Sequence, residues 1–366
     1  MIVAPVRRPP RPVKAIGMMS GGLDSTLAAA VLQRQGIEVL GINFYTGFCV
    51  TEQHRRLGVP GRDGKACRNE ALRAGADLEF EVRLVDIAEE YYGMIANPKY
   101  GYGSAANPCI DCRIFMLRKV SRILEEEKAD FVFTGEVVGQ RPMSQRRPVM
   151  DLIEKQCGLE GRLLRPLSAK LLPMTVPEQD GRVDREGLLG FWGRSRKPQM
   201  ALAAELGIRD YPQPAGGCCF LADLNYARKF FDLVSHRPGK RISHDDVVLL
   251  GVGRHFRFPD GSKVIVGRNA HENRVIEDYV GTEHWLLKTV DLMGPVALVE
   301  GEAGYETLSK AACLAARYVD RPNGEELVRF HCTRGDLSQD IQGAPMTPAQ
   351  IDGFRIPAEA TEPIPG

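Results

Sequence analysis

Apolar and polar residues alternate in blocks along the first part of the chain, and the blocks predict strands and helices in turn. The run VKAIGMM at residues 13–19 is short and apolar, which is typical of a buried strand. It leads into Ser20-Gly21-Gly22 and then LDSTLAAAVLQRQG, a helical composition that ends on Gly36, a residue suited to a helix C-terminus. IEVLGINF then predicts a second strand. The order strand, glycine loop, helix, strand predicts a right-handed crossover unit of a parallel sheet.

The alternation continues beyond this unit. Residues 66–76 predict a helix, FEVRLVDI predicts a strand, and CRIFMLRKVSRILEEEKA predicts a long amphipathic helix. ADFVFTGE predicts another strand, whose carboxyl end carries Thr134, Gly135 and Glu136. Ligands of open α/β sheets lie at the carboxyl ends of strands, so this turn and the glycine loop predict one binding edge. Residues 180–200 are irregular and rich in Arg and Gly.

The composition shifts near residues 235–239, and a second pattern begins. GRHFRFPDGSKVIVGR alternates about a PDG turn, which predicts a β-hairpin. HWLLKTVDLMGPVALVEG predicts further strands, LSKAACLAARYV a buried helix and EELVRFHCT a last strand. We therefore predict an α/β parallel-sheet domain followed by a smaller α+β domain. The first domain is predicted over residues 13–234 and the second over 240–340. A disordered basic arm is predicted over residues 1–12 and a loosely ordered proline-rich tail over 343–366.

Chain length, net charge, the lack of long apolar runs and the cysteine count limit the kinds of function that this chain can have. The 366 residues suffice for two domains, and the net charge of +1 means that local basic patches would have to hold any nucleic acid. No apolar run approaches the roughly 20 residues that span a bilayer, and the N-terminal arm lacks the apolar core of a signal peptide, so we expect a cytoplasmic protein without a membrane role. Nine cysteines, an odd number, favour thiol, metal or redox chemistry over a disulfide framework.

The loop Ser20-Gly21-Gly22-Leu23-Asp24-Ser25 has the composition of an anion-binding site. Its glycines let the backbone approach a ligand, the following helix offers unpaired N–H groups, and the serines add hydroxyl donors. It lacks the Lys of a Walker A motif, so it is not built to transfer a γ-phosphate. The alternative is an ordinary strand–helix turn with Ser and Asp caps.

This loop resembles the PP-loop of ATP pyrophosphatases, which adenylate a carbonyl oxygen and release pyrophosphate. The resemblance implies that the chain uses ATP and that Asp24 helps hold the Mg²⁺ on the leaving pyrophosphate. The predicted nucleotide-binding residues, including two at the end of the neighbouring strand, are Ser20, Gly21, Gly22, Asp24, Ser25, Thr134 and Gly135.

Two cysteine segments distinguish between the chemistries of that superfamily. Asn107-Pro108-Cys109-Ile110-Asp111-Cys112-Arg113 precedes a long helix, which places Cys112 in the first turn, where a helix N-terminus lowers a thiol's pKa. Pro214-Ala215-Gly216-Gly217-Cys218-Cys219 is a glycine-rich turn with further thiols. With FTGEVVGQRPMSQ and LLRPL, these segments resemble the tRNA thiouridine synthetases of the 4-thio and 2-thio types. The match has one extra residue before Ser144-Gln145 and spans roughly residues 13–225.

That resemblance implies an ATP-dependent tRNA sulfurtransferase, which adenylates a uridine and replaces its carbonyl oxygen with sulfur. Catalysis would rest on Asp24, Cys112 and Cys218. The partners would be tRNA and a sulfur donor, either sulfide or a persulfide derived from a cysteine desulfurase. Candidate contacts to the tRNA backbone are Arg141, Arg146, Arg147, Arg194, Arg196 and Lys197.

Three cysteines allow more than one sulfur chemistry. In a persulfide relay, one thiol carries the sulfur and another resolves it through a disulfide. Alternatively, as in some of the synthetases that this chain resembles, Cys109, Cys112 and Cys218 would hold a [4Fe–4S] cluster with one iron open to sulfur. A zinc site, which normally needs four ligands, and unrelated buried cysteines are the remaining alternatives.

Residues from about 240 to 340 resemble the RNA-binding domain of the NFACT-type ribosome quality-control proteins. The matching stretches are VIVGRNAHEN, EHWLLKTVDLMGPVALVEG and LSKAACLAARYV. The resemblance implies RNA binding, with aromatic faces for stacking at Phe256 and Phe258; the alternative is a hairpin with a solvated charged face. The predicted phosphate-binding residues are Arg254, Arg257, Lys263, Gly267, Arg268, Asn269 and Arg274.

Two rival functions remain from the sequence. An amidating PP-loop ligase would use ammonia and would need no paired cysteines. A non-catalytic RNA-binding adaptor would bind RNA without releasing pyrophosphate.

Overall fold

The computed structural model describes residues 12–50, 55, 67–212, 219–301, 303–321, 324 and 326–356. The predicted arm at 1–12 therefore lies almost wholly outside the described residues. The chain divides into two compact units, of which the second contains residues 218–366 and the short segments 47–66 and 104–107. The main segment of the second unit thus begins at Cys218, before residue 234, where the composition predicts the end of the first domain. Helix Leu224–His236 belongs to the second unit because its Tyr226 and Phe230 rings pack edge-on against Phe48.

The first unit is built on a five-stranded parallel sheet, as the alternation predicts. Its strands lie in the order β3-β2-β1-β4-β5, so β1 is central. Met18, the last residue of β1, is in register with Ile42 and Thr134, which brings the carboxyl ends of three strands to one edge. The strands are β1 Lys14–Met18, β2 Glu38–Tyr45, β3 Glu81–Asp86, β4 Phe131–Thr134 and β5 Leu163–Leu164.

Helices cover both faces of this sheet. One face packs Phe131 and Phe133 against Leu27, while the other packs Val132 against Leu117 and Leu124. Alternate residues of β4 thus face opposite layers, as strand geometry requires. No helix in the described part of the chain is long and apolar enough to cross a membrane. The helices of this unit are α1 Leu23–Gln33, α2 Glu70–Asp77, α3 Ala88–Ala96, α4 Cys109–Glu126, α5 Arg147–Cys157, α6 Val176–Gln179 and α7 Lys197–Glu205.

The second unit is built on a seven-stranded antiparallel sheet in the order β11-β10-β8-β9-β7-β6-β12. The predicted hairpin is confirmed, because β6 and β7 pair antiparallel with Arg254 opposite Val266. The strand predicted to be last, β10, is followed by two more. The elements are α8 Leu224–His236, α9 His244–Leu250, β6 Arg254–Arg257, β7 Lys263–Val266, α10 Ala270–Asp278, β8 Trp285–Thr289, β9 Ala297–Glu300, α11 Tyr305–Ala316, β10 Val328–Arg334, β11 Leu337–Gly343, α12 Pro348–Asp352 and β12 Arg355–Ile356.

Residues 343–356 depart from the loosely ordered tail that their prolines predict. They form α12 and β12, and β12 pairs antiparallel with β6. Ile351 is buried, and the Phe354 ring packs edge-on against Phe258 at 5.1 Å. The segment is ordered because these apolar side chains complete the core of the second unit. The remainder of the predicted tail, residues 357–366, lies outside the described residues.

Replacing Ile351 with Ala tests this packing. We expect the free energy of unfolding of the second unit to fall by about 3 kcal/mol, because a buried aliphatic side chain would leave a cavity. Urea denaturation followed by fluorescence of Trp285, which is buried in this unit, measures the change. Met293→Ala is the matched control, since that side chain is 87% exposed. An Ile351→Ala variant as stable as this control would show that the segment contributes nothing to the core.

Candidate functional site

The glycine loop between β1 and α1 has a backbone that other residues would not permit. Gly21 has φ of +73°, in the left-handed region. A Cβ added there would lie 2.2 Å from the backbone carbonyl carbon of Glu70 and 2.3 Å from the backbone nitrogen of Ala71. The tight contact between the loop and α2 therefore requires glycine at this position.

Hydrogen bonds from and to side-chain hydroxyl groups stabilise the glycine loop. Ser25 and Thr26 donate to the Gly22 carbonyl oxygen at 2.9 and 3.1 Å. The Gly22 N–H donates to Ser20 Oγ at 3.3 Å, and the two serine oxygens are 3.2 Å apart. No side chain caps α1 at Gly22. The first turn can therefore present N–H groups to an anion such as a phosphate.

Asp24 has one carboxylate oxygen engaged and one without a partner. Its Oδ2 accepts a hydrogen bond from Gln140 Nε2 at 2.7 Å, and an Arg196 guanidinium nitrogen lies 3.7 Å from the same oxygen. Gln140 is held in turn by Gln199, whose Nε2 donates to Gln140 Oε1 at 3.0 Å. Asp24 Oδ1 is buried and has no hydrogen-bond partner among the described residues. A buried, unpartnered carboxylate oxygen fits a magnesium ligand.

The end of β4 touches the start of α1. A Cβ added to Gly135 would lie 2.4 Å from the Ser25 nitrogen and 2.5 Å from the Asp24 carbonyl carbon. Thr134 is buried, and its hydroxyl donates to Glu136 Oε2 at 3.1 Å. Gly135 therefore allows the strand end to approach the glycine loop, whereas the Thr134 side chain supports Glu136, two residues further along the same segment.

Glu136 is the centre of a buried ion-pair network. Its carboxylate is 3.1 Å from Arg113 Nε and 3.3 Å from Arg165 Nε, and Arg165 also reaches Glu154 Oε2 at 2.8 Å. Burial raises the pKa of Glu136, but the guanidinium groups of Arg113 and Arg165 and the Thr134 hydroxyl together lower it below its ordinary value. Glu136 thus stays charged in the folded protein. The network joins the TGE, NPCIDCR and LLRPL segments, a connection that their sequences do not reveal.

The thiol-bearing helix begins three residues before the predicted segment CRIFMLRKVSRILEEEKA, and Cys112 lies in its first turn as predicted. Helix α4 starts at Cys109, and the Cys112 N–H donates to the Pro108 carbonyl oxygen at 2.8 Å, so both thiols lie on the first turn. Both cysteines are partly exposed. Asp111, which lies between the two cysteines in sequence, is buried. Its carboxylate accepts hydrogen bonds from the backbone N–H groups of Lys99 and Tyr100. Asp111 therefore anchors the preceding loop to the start of the thiol helix.

The third predicted cysteine, Cys218, lies outside the described residues. Cys219 is described and lies opposite Cys49 in an isolated antiparallel bridge of the second unit. Over residues 12–50, 67–212 and 219–356, apart from the gaps already given, no three His, Cys, Asp or Glu side chains form a metal-binding group. The cysteines in that part of the chain form no disulfide.

The predicted RNA-contacting residues of the first unit have different surroundings. Arg147 forms an ion pair with Asp151, and Arg196 approaches Asp24. The others carry no ion pair to a described carboxylate, and their side chains are exposed or half-buried. They are Arg141, Arg146, Arg194 and Lys197.

In the second unit, the prediction that Phe256 and Phe258 offer stacking faces is wrong. Their exposed fractions are 0% and 2%, because both rings pack in the core of the second unit, Phe256 near Tyr318 and Phe258 against Phe354. Two predicted phosphate contacts also face acidic partners: Arg257 pairs with Asp232, and the buried Lys263 lies 3.8 Å from Glu300. Three of the predicted residues are exposed: Arg268, which pairs with Glu272; Asn269, whose side chain accepts a hydrogen bond from the Glu272 N–H; and Arg274.

The fold and the loop together define a nucleotide-binding α/β domain of the PP-loop kind, accompanied by an antiparallel-sheet domain. Residues 13–152 match the family model of the tRNA methyl transferase HUP domain. Residues 253–355 match the model of the NFACT protein RNA binding domain. The first region is therefore similar to a HUP domain, with the PP-loop following β1, and the second region is similar to an NFACT RNA binding domain.

The curated relatives of this chain include tRNA-specific 2-thiouridylases. The enzyme from Cytophaga hutchinsonii is 26% identical over 261 residues, which cover 66% of this chain and 64% of that protein. The one from Listeria monocytogenes is 24% identical over 332 residues, covering 88% and 80%. The alignment thus spans just under two thirds of the first relative. A solved 4-thiouridine synthetase in complex with RNA and ATP is 18% identical, covers 54% of this chain and 52% of that one, and has a TM-score of 0.32.

Replacing Glu136 with Gln tests the ion-pair network. At pH 7 we expect the free energy of unfolding to fall by about 3–5 kcal/mol, since the change removes the negative charge beside the partly buried Arg113 and one of the two carboxylates beside the buried Arg165. The folded-state pKa of Glu136 lies below its ordinary 4.5, so the stabilisation is complete above that pH and is lost as pH falls towards the folded-state pKa. The difference between wild type and variant should therefore shrink below pH 4.5 in urea denaturation.

Glu125→Gln is the matched control for this prediction. Glu125 is 68% exposed and pairs with Arg162 at the surface, so its replacement should change stability by less than about 1 kcal/mol. Equal stability of the Glu136→Gln and Glu125→Gln variants at pH 7 would show that the network does not hold the unit together.

Proposed function

We propose that this protein is an ATP-dependent tRNA sulfurtransferase, which adenylates a uridine carbonyl oxygen and replaces that oxygen with sulfur. One observation carries the proposal. Gly135 and Glu136 are consecutive: Gly135 packs against Asp24 and Ser25 of the glycine loop, and Glu136 binds Arg113, the neighbour of Cys112. The thiol-bearing turn and the nucleotide loop are thereby attached to the same strand end. Such an arrangement suits activation by ATP and attack by sulfur at one substrate atom.

The glycine loop would perform the adenylation. The backbone N–H groups at the start of α1 and the Ser20 and Ser25 hydroxyls would bind the phosphates of ATP. Asp24, through its unpartnered Oδ1, would hold a Mg²⁺ ion, which offsets the charge of the leaving pyrophosphate. The uridine oxygen forms a bond to the α-phosphorus, and the bond from that phosphorus to pyrophosphate breaks. The uridine then carries AMP as a leaving group.

The cysteines would supply the sulfur. A sulfur nucleophile attacks the activated carbon of the uridine, and AMP departs with the former carbonyl oxygen. In a relay, one of Cys112 and Cys218 would carry the sulfur as a persulfide that attacks the uridine carbon. The other thiol would then displace the thiouridine by forming a disulfide with the first, and a reductant external to this chain would reopen that disulfide. In the alternative, Cys109, Cys112 and Cys218 hold a [4Fe–4S] cluster, and the position of Cys109 and Cys112 on one helical turn is compatible with that. The relay would require a persulfide donor external to this chain, because a thiol forms a persulfide from sulfide only with an oxidant. A cluster with an open iron would accept sulfide itself.

The second unit would contribute RNA binding. Its match to the NFACT-type domain supports this role, as do the exposed side chains of Arg268 and Arg274. Because the whole chain carries a net charge of only +1, the RNA would be held at local groups of cations. The 2-thiouridylase relatives support tRNA as the RNA substrate.

Asp24→Asn tests the adenylation half of the proposal. The variant keeps a carbonyl oxygen for Gln140 but loses the charge for the metal, so tRNA-dependent pyrophosphate release should fall at least about 100-fold. Thermal denaturation and tRNA binding should not change. Asp151→Asn, at a surface position 58% exposed, should retain full activity. Normal pyrophosphate release by a folded Asp24→Asn protein would remove the assignment.

Cysteine variants separate the two sulfur chemistries. If a cluster forms, anaerobically purified protein should contain about four irons and four sulfides per chain. Replacing Cys109, Cys112 or Cys218 with Ala should then lower the iron content and abolish thiolation together, while pyrophosphate release survives. Mass spectrometry of tRNA nucleosides and iron analysis are the measurements, and Cys313→Ala in the second unit is the control.

A relay gives a different pattern. Cys109 would be dispensable, and iron-free protein supplied with a persulfide donor would still thiolate tRNA. Full thiolation by variants at all three positions would contradict the sulfurtransferase proposal itself and would leave an amidating PP-loop ligase as the alternative.

A further inference from the structure

Trp192 is a large aromatic side chain that the fold leaves in solvent. Its exposed fraction is 72%, whereas that of Trp285 is 7%. Flexibility does not account for the exposure, because backbone hydrogen bonds fix both neighbours: Phe191 N–H donates to the Leu167 carbonyl at 2.7 Å and Gly193 N–H to the Val138 carbonyl at 2.8 Å. A rigidly presented indole is the kind of surface on which planar groups stack.

The ring is positioned against a glycine. Gly139 has φ of +77°, and a Cβ added to it would lie 3.1 Å from Trp192 Nε1. Any larger residue at 139 would have to displace the indole. One edge of the ring is therefore supported by the backbone that follows β4, and the remaining surface is open.

The segment that contains Gly139 and the segment that contains Trp192 each carry a residue that reaches Asp24 of the nucleotide loop. Gln140, next to Gly139, donates to Asp24 at 2.7 Å. Arg196, four residues after Trp192, approaches the same carboxylate at 3.7 Å. The indole therefore lies on a segment that is attached to the adenylation site at two points.

The two segments that meet at the indole each carry cationic residues close by in sequence. Arg141 follows Gln140, and a tight turn, closed by the hydrogen bond from Gly139 N–H to the Gln145 carbonyl at 2.7 Å, returns the chain to Arg146. On the other segment, Arg194 and Lys197 follow Trp192 closely. Within the part of the chain that the structure describes, no carboxylate forms an ion pair with these four side chains, so their charge remains available to a polyanion.

We propose that Trp192 stacks against a nucleobase of the RNA substrate and so positions the uridine at the adenylation site. This inference rests on the proposed function and specifies where the RNA binds. ATP also carries a base, but it brings a single triphosphate, for which the glycine loop already provides donors. Four further cations on the two segments that meet at this exposed indole match RNA, in which every stacked base is accompanied by a phosphate.

Steady-state pyrophosphate release at varied tRNA and ATP tests the assignment. Trp192→Ala should raise the KM for tRNA by roughly 10-fold or more and leave the KM for ATP at saturating tRNA within about twofold. Trp192→Phe, which keeps a stacking ring, should recover most of the tRNA affinity. Leu84→Ala is the matched control, because Leu84 is 54% exposed on β3, at the opposite edge of the sheet.

Fluorescence provides a readout that does not depend on activity. Unmodified tRNA should quench the emission of Trp192, and the quenching should be absent in Trp192→Phe, whose remaining indole is the buried Trp285. Quenching by ATP alone, together with a raised KM for ATP in Trp192→Ala, would assign the indole to adenine and overturn the proposal. Unchanged tRNA binding by Trp192→Ala would also overturn it. Loss of pyrophosphate release in wild type, with tRNA quenching retained, would instead contradict the proposed reaction.

Discussion

The site depends on a carboxylate that has almost no access to water. Glu136 is 3% exposed, and a charge in that position is tolerated only because Arg113 and Arg165 lie against it. These ion pairs constrain geometry more than an apolar contact does, because Arg113 lies against Oε1 of Glu136 and Arg165 against Oε2. Because Arg113 belongs to the first turns of α4, this ion pair sets the position of the cysteine-bearing turn relative to β4.

Close backbone contact provides the second constraint. Gly21 and Gly135 lie where a single added carbon would meet backbone atoms of another segment, so the glycine loop is held between α2 and the end of β4. The parallel sheet makes this possible, because Met18 and Thr134 end neighbouring strands in register. Asp24 and Gln140, 116 residues apart in sequence, then meet through one hydrogen bond. Ion pairing and close packing together preorganise the carboxylate that the proposed reaction uses.

The distribution of charge explains how a nearly neutral chain can bind a polyanion. In the second unit, many cations are neutralised within the fold, as Arg257 is by Asp232 and Lys263 by Glu300. In the first unit, the segments that meet at Trp192 carry four cations that form no ion pair with a described carboxylate: Arg141, Arg146, Arg194 and Lys197. A local concentration of unpaired charge attracts phosphate even when the total charge does not.

Local features of the sequence were sufficient to predict the parallel-sheet unit, the β6–β7 hairpin, helix α11 and a long helix with Cys112 in its first turn. These features depend on residue periodicity and on glycine or turn residues near one another in the chain, so a single segment contains the information. The tertiary structure decided which distant residues meet. It buried Phe256 and Phe258, ordered residues 343–356 against the second core and moved the unit boundary ahead of α8.

The pairings of Glu136 with Arg113 and of Asp24 with Gln140, and the exposure of Trp192, likewise follow from contacts across more than 20 residues. Periodicity cannot encode such contacts, because whether a charge is paired or a ring is covered depends on the residues that other segments place beside it.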